Sequence, residues 1–266
     1  MPPTFGRYLI RWGLTPEGDP IVTPGSDLLP VRRGETRAML KIPRVEEERL
    51  GGQLMVWWQG DGAAKVLAED EGVLLLERAT GTGSLAEMTE EGKDDQAAHI
   101  VCAVAAKLHK TSNPPPTLVP LGRWFRDLEP AAQTHGGILR ESSKAAQALL
   151  ADPQDVTVLH GDLHHGNVLD FGERGWLAID PKGLLGERGF DFANLFCNPD
   201  EQIATAPGRL ARLADVVSAA ASLDRRRLLQ WVLAYAGLSA AWSMQDGDDP
   251  RLALSVAELT YAELRT

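Results

Sequence analysis

Between Leu159 and Pro181 the chain reads LHGDLHHGNVLDFGERGWLAIDP, which places three histidines, three aspartates and an asparagine in one short run. Three kinds of site could use such a run. A zinc centre would draw on His160, His164 and His165, and His160 and His164 have the i, i+4 spacing of a helical ligand pair. Gly161 and Gly166 argue against a helix there, however, and no further ligand lies at a convincing spacing. A solvated loop could absorb an Asp or Asn in Asx turns, but not this many at once. Phosphoryl transfer accounts for more of the residues. It needs a carboxylate to orient an attacking hydroxyl and oxygen ligands for magnesium. Asp162, four intervening residues, Asn167 and then Asp180 after a hairpin supply these groups in the order used by kinases.

The flanking sequence limits the kind of molecule. With 266 residues, 44% of them hydrophobic, the chain can build one large domain or two lobes. We find no apolar run long enough to span a membrane and no secretory signal in MPPTFGRYLIRWG, so a cytoplasmic protein without a membrane partner is expected. Cys102 and Cys197 make no disulfide framework and are expected to be reduced core residues. A net charge of −10 argues against nucleic acid and is compatible with a cationic substrate.

Hydrophobic patterning divides the chain. Arg7–Trp12, Leu28–Val31 and Ala38–Ile42 read as strands, with a turn over 33–36. Val45–Trp57 reads as a helix opened by Glu46, Glu47 and Glu48, although Gly51 and Gly52 count against it. Val66–Leu67 and Gly72–Glu77 suggest a hairpin. Beyond Gly81, Ile100, Val104 and Leu108 recur at helical spacing, 112–116 is a proline-rich loop, and Ala145–Leu150 is helical. Short strands are expected at Val156–Leu159, Asn167–Leu169 and Trp176–Ile179, followed by helices over about 209–221, 225–242 and 251–264. The expected fold is α+β and bilobal: a small β-rich lobe over 1–78 and a larger, mainly helical lobe over 79–266 that carries the catalytic loop, with a seam near 77–83. Trp57 and Trp58 are expected to pack under the small lobe.

HGDLHHGN followed by WLAIDPKGLLGERGFD resembles the aminoglycoside phosphotransferase family, whose fold is that of protein kinases. The runs LPVRRGETRAMLK, WWQGDGAAKV, LLLERA and LLQWVLAYAGLSAAW are similar to its streptomycin 6-phosphotransferase (aminoglycoside/hydroxyurea resistance kinase) branch, and the resemblance covers about residues 28–245. It implies a monomeric, ATP- and Mg2+-dependent kinase acting on a cationic antibiotic, most specifically on the 6-hydroxyl of streptomycin. Asp162 would be the catalytic carboxylate, Asn167 and Asp180 the magnesium ligands, and Lys41 the cation for the nucleotide phosphates. Glu48 would hold Lys41, with Glu47 as the fallback. The backbone of Glu77–Ala79 would meet adenine, and the turn over 23–27 falls where a phosphate-covering loop belongs, without a GxGxxG motif. His160 is expected to brace the catalytic loop and Asp191 to anchor it, while His164 and His165 receive no role. For a guanidinium-bearing substrate the available groups are Glu187, Asp191, Asp246, Asp248 and Asp249, with Trp242 as an aromatic face. The rival readings are a kinase for another small alcohol, of the choline or sugar type, and a kinase-fold binding protein that has lost catalysis.

Overall fold

A computed structural model describes residues 3–110 and 114–266. Ser112 and Asn113, in the expected proline-rich loop, lie outside the described residues.

The first element departs from expectation. Residues Pro3–Trp12 form helix α1 rather than a strand over Arg7–Trp12. RYLIRW is compatible with either period, and tertiary packing selects the helical one. Phe5 and Tyr8 are buried one turn apart, and the Tyr8 ring lies 5.1 Å from that of Trp12. The helix covers one face of an antiparallel sheet. Its strands are β1 (Thr15–Pro16), β2 (Ile21–Val22), β3 (Ser26–Arg33), β4 (Thr36–Pro43), β5 (Val66–Asp70) and β6 (Val73–Glu77), in the order β1-β3-β4-β6-β5 with β2 beside β3. Strand alternation sorts the side chains. Leu29, Val31, Ala38, Leu40 and Leu75 pack with Phe5 and Tyr8 in a small separate core. Their neighbours Leu28, Met39, Lys41 and Leu76 face the other way, into a cavity.

Helix α2 (Glu46–Trp58) closes that side of the sheet, and its first turn carries Glu46, Glu47 and Glu48 as expected. The two glycines that weakened the helix assignment are where other elements approach. A Cβ on Gly51 would stand 1.9 Å from the Pro181 carbonyl oxygen, and one on Gly52 would stand 3.2 Å from Leu74. Leu54, Met55 and Trp58 join the large core of the second lobe. Trp58 reaches farther than packing under the small lobe. It stacks on His160 with ring centroids 6.3 Å apart, and its Nε1 donates to the Leu108 carbonyl at 3.3 Å.

The second lobe runs through α3 (Leu85–Glu90), α4 (Asp94–Leu108), β7 (Val119–Pro120), α5 (Leu121–Trp124), α6 (Leu128–His135) and α7 (Ile138–Ala151). Strands β8 (Val156–Leu159), β9 (Val168–Asp170), β10 (Trp176–Ala178) and β11 (Leu184–Glu187) follow, then a 3₁₀ segment, Arg188–Cys197. Helices α8 (Glu201–Ala204), α9 (Arg209–Ala221), α10 (Arg225–Asp246) and α11 (Arg251–Glu263) complete it. Arg209 forks onto Asp94 at 2.9 and 3.0 Å, which ties α9 to α4 through a buried ion pair. Both cysteines are free and buried, and burial pushes each thiol up to about 12. Among the described residues no helix is long and apolar enough to cross a membrane.

Candidate active site

Hairpin register brings Asn167 and Asp180, the two expected magnesium ligands, together. Val168 pairs with Ala178 across β9 and β10, so the residues just outside the ladder, Asn167 and Ile179, are also neighbours, and Ile179 N–H donates to the Asn167 carbonyl at 2.9 Å. Asp180, the next residue, takes a left-handed backbone with φ 61°. Such a conformation is unusual for a residue with a side chain, and functional sites concentrate it. It directs the carboxylate onto the Lys41 ammonium. Lys41 also meets Glu48 Oε2 at 2.5 Å. Glu48 in turn accepts from the Ser26 hydroxyl at 2.9 Å, which fastens the turn over 23–27 to the same cluster. Burial alone would raise the Asp180 carboxyl, but Lys41 and Lys182 outweigh it and hold the pKa below its ordinary value.

The loop over 160–167, the expected catalytic loop, is braced from beneath. Asp191 is buried and accepts the backbone N–H groups of His160 at 3.0 Å and Gly161 at 2.7 Å, and His109 Nε2 lies 2.8 Å from it. His160 is fully buried. Its Nδ1 accepts the Asp162 N–H at 3.2 Å while its Nε2 faces the Ile179 carbonyl at 2.8 Å, so the second nitrogen carries the proton. Burial lowers its pKa and keeps the ring neutral, and neither nitrogen is left to ligate zinc. Above this brace, Asp162 receives two amides. Asn194 donates to Oδ1 at 2.7 Å and Asn167 to Oδ2 at 3.1 Å. Asn198 orients Asn194 by donating to its Oδ1 at 2.9 Å.

Two cavities reach this hydrogen-bonded pair, one lined by Asn167 and the other by Asp162. The larger, about 380 Å³, is walled by Leu28, Met39, Leu76, Leu169, Phe171 and Ile179, and Lys41, Glu48, Asn167 and Asp180 stand at its polar end. Glu77, Arg78 and Ala79 form one edge; the Glu77 carboxylate itself is turned to the Lys65 N–H at 2.6 Å and to Arg174. An apolar slot ending in an ammonium and oxygen donors fits a nucleoside triphosphate. With its NH2 committed to Asp162, Asn167 has its carbonyl oxygen left for a cation. Together with Asp180 this makes two oxygen ligands, a set that suits magnesium, which keeps phosphates and water for its remaining positions. The smaller cavity, about 210 Å³, opens on the other side of Asp162 between Glu47, Trp124, Lys182, Tyr235 and Trp242. Trp124 and Trp242 meet edge to face at 5.4 Å.

Several residues expected at the acceptor site lie elsewhere. Glu187 is buried away from Asp162, where its carboxylate takes Arg227 Nε at 2.7 Å, Trp231 Nε1 at 2.8 Å and the Gln154 N–H at 3.0 Å. Residues of one strand alternate between faces, and β11 turns this acid inward to a structural knot. Asp246 is exposed at the end of α10, one turn beyond Trp242, and does not line the cavity. Asp249 holds the Arg251 side chain at 2.6 Å, and Asp191 lies under the loop. The sequence alone assigns no role to Lys182, Asn194, Tyr235 or Trp124. Lys182 and Tyr235 lie inside runs that carry the family resemblance and Asn194 stands three residues after Asp191, whereas Trp124 lies in no such run.

His165, assigned no role, is 4% exposed, and neither ring nitrogen finds a partner among the described residues. Burial, reinforced by Arg209, pushes its pKa down to about 4. The folded chain therefore refuses a proton that the unfolded chain accepts below its ordinary pKa of about 6.5. The contribution of a neutral His165 is whole above that pH. It is lost as pH falls toward about 4, by roughly 3 kcal/mol in all. Urea unfolding of wild type and His165→Leu between pH 7 and pH 4 checks this: the stability difference should shift steadily in the variant's favour, and a parallel pair of curves would refute it.

The description aminoglycoside/hydroxyurea antibiotic resistance kinase matches residues 11–247. This chain belongs to that family. A streptomycin 3″-kinase from Klebsiella pneumoniae is 50% identical over 243 residues, covering 89% of this chain and 91% of that protein. A streptomycin 6-kinase from Streptomyces griseus is 30% identical over 289 residues, covering 99% and 88%. Among solved structures, a thermostable mutant of aminoglycoside phosphotransferase APH(4)-Ia, in ternary complex with ADP and hygromycin B, superposes with a TM-score of 0.64 at 12% identity, covering 98% of this chain and 97% of that one. The protein-kinase-like bilobal fold expected from the sequence is the one observed.

Proposed function

We propose that this kinase transfers the γ-phosphoryl group of ATP to a hydroxyl of streptomycin. The observation that carries the reading is the position of Asn167, in the wall between the two cavities. It lines the nucleotide slot and hydrogen-bonds the carboxylate that faces the other cavity. Lys41 is placed to pair with the nucleotide phosphates, and Glu48 keeps it there. The oxygens of Asn167 and Asp180 would hold magnesium, which when bound would neutralise phosphate charge. Asp162 accepts a hydrogen bond from the acceptor hydroxyl, aims its oxygen in line with the phosphorus, and takes the proton late. The acceptor oxygen–phosphorus bond forms as the phosphorus–ADP oxygen bond breaks, and no phospho-enzyme is needed.

On the acceptor side, Glu47 and Asp162 offer carboxylates to guanidinium groups, and Trp242 offers a ring face. The 50% identity to a 3″-kinase, against 30% to a 6-kinase, supports the 3″-hydroxyl rather than the 6-hydroxyl that the sequence runs suggested. A phosphate there would add charge and bulk to a cationic drug, which would serve resistance. The test is incubation of the purified protein with labelled ATP, magnesium and a panel of streptomycin, kanamycin, choline and hydroxyurea. Phosphorus–proton correlation NMR then locates the phosphate on the product. Labelled streptomycin phosphorylated at the 3″ position is expected. Labelling at the 6 position would overturn the regiochemistry, and labelling of choline alone would overturn the substrate.

A further inference from the structure

One cation beside Asp162 has no part in the mechanism above. The Lys182 backbone is pinned on both sides: its N–H donates to the His160 carbonyl at 2.7 Å, and the preceding Pro181 carbonyl abuts Gly51 of α2. The side chain is only 17% exposed and runs into the acceptor cavity. There its Nζ stands 3.3 Å from Glu47, 3.6 Å from Glu48 and 3.9 Å from Asp162. These are three loose contacts, longer than the roughly 2.7–2.9 Å of a committed charge-assisted hydrogen bond. Lys41, by contrast, is clamped between Glu48 and Asp180. His164 also stands 3.9 Å from Asp162, but its Nδ1 accepts the Gly166 N–H at 3.1 Å.

In a loose phosphoryl-transfer transition state, negative charge sits on the three equatorial oxygens of the moving group, between the nucleotide and the acceptor oxygen. The acceptor oxygen must lie at Asp162, so those oxygens must pass beside it. We propose that Lys182 is a catalytic residue that hydrogen-bonds the transferring phosphoryl group, and that Glu47, Glu48 and Asp162 hold it in waiting. The flexible four-carbon stem covers the short distance, and ammonium donors rotate freely onto phosphate oxygens. Lys182 keeps its proton throughout. The hydroxyl proton goes to Asp162 and on to water, and the phosphorus–oxygen bond is exchanged as already described. A charge aimed at the transition state should affect turnover far more than ground-state nucleotide binding.

The inference rests on ATP-dependent transfer, so the test begins with a readout that needs no acceptor. ADP binding is measured by calorimetry for wild type, Lys182→Met and Lys182→Arg, with magnesium, in the presence and absence of fluoroaluminate, a planar mimic of the moving phosphoryl group. Wild type should bind ADP more tightly with fluoroaluminate present. Lys182→Met should keep its affinity for ADP alone within about twofold and lose at least tenfold of the tightening. Its kcat on the labelled acceptor should fall by about 10²–10³, and Lys182→Arg should recover part of both effects. Equal tightening in wild type and Lys182→Met overturns the proposal. So does a matching loss of ADP affinity, which would mark Lys182 as structural. Wild type that binds no ADP would overturn the ATP reading itself, and this inference with it.

Discussion

Replacing Asp162 with alanine is expected to cut turnover by about 10³–10⁴-fold, near the upper end of what a positioned acid–base group contributes. Nucleotide affinity should change little, because Asp162 does not line the larger cavity. The alanine variant frees the Asn194 and Asn167 amides into a cavity open to water, so its melting temperature should fall only slightly. Asparagine is the harsher test of geometry. Both Asp162 oxygens accept an amide N–H, and an asparagine has only one oxygen to offer. Asp162→Asn therefore sets an NH2 against an NH2, which should cost about 1–3 kcal/mol of stability as well as activity. Steady-state kinetics with nucleotide binding and thermal melts separate these effects. Turnover near the wild-type rate in Asp162→Ala would remove Asp162 from the centre of the mechanism.

The second large effect is expected at a residue with no reactive side chain of its own. In Gly51→Ala the new methyl carbon, fixed rigidly to the helix backbone, would stand 1.9 Å from the Pro181 carbonyl oxygen, itself a backbone atom. No rotamer change can relieve that contact, so either α2 or the segment 180–183 must move. The same segment meets α2 a second time, where a Cβ on Gly183, already at φ +68°, would stand 3.3 Å from the Leu50 backbone. Displacement would pull Glu48 away from Lys41, and Lys182 away from Glu47. Overpacking of this kind costs about 1–3 kcal/mol, and misplacing a catalytic group by about 1 Å can cost about 10²-fold in rate. Gly51→Ala should therefore be folded yet at least about 100-fold slower, with weakened nucleotide binding as well. A variant as active as wild type would show that the two lobes tolerate a looser junction than the one observed.

The part of the site that was legible in the sequence is the part with a fixed local spacing. Asp162, Asn167 and Asp180 fall within 19 residues, and one loop and one hairpin dictate how they meet. Lys41 was legible only through the family resemblance, and strand alternation sets it on the face opposite Ala38 and Leu40. Glu47 and Glu48 could not be told apart, since both lie in the first turn of α2. Their division of labour follows from how that helix is set down: Glu48 meets Lys41, and Glu47 meets Lys182. The acceptor-side acids were the weakest reading. A carboxylate for a guanidinium looks the same in sequence as one for an arginine of the same chain, and Glu187 proves to be the second kind.

The chain's own residue order thus determined a two-lobed kinase fold and the local spacing of Asp162, Asn167 and Asp180, because turn chemistry and strand and helix periods act over a few residues. Only the tertiary structure decided that residues 3–12 would be a helix, which glutamate would hold which lysine, and that Asn194, 32 residues beyond Asp162, would orient it. Those outcomes depend on which surfaces pack against one another. Packing is a property of the whole chain, and no short stretch of sequence records it.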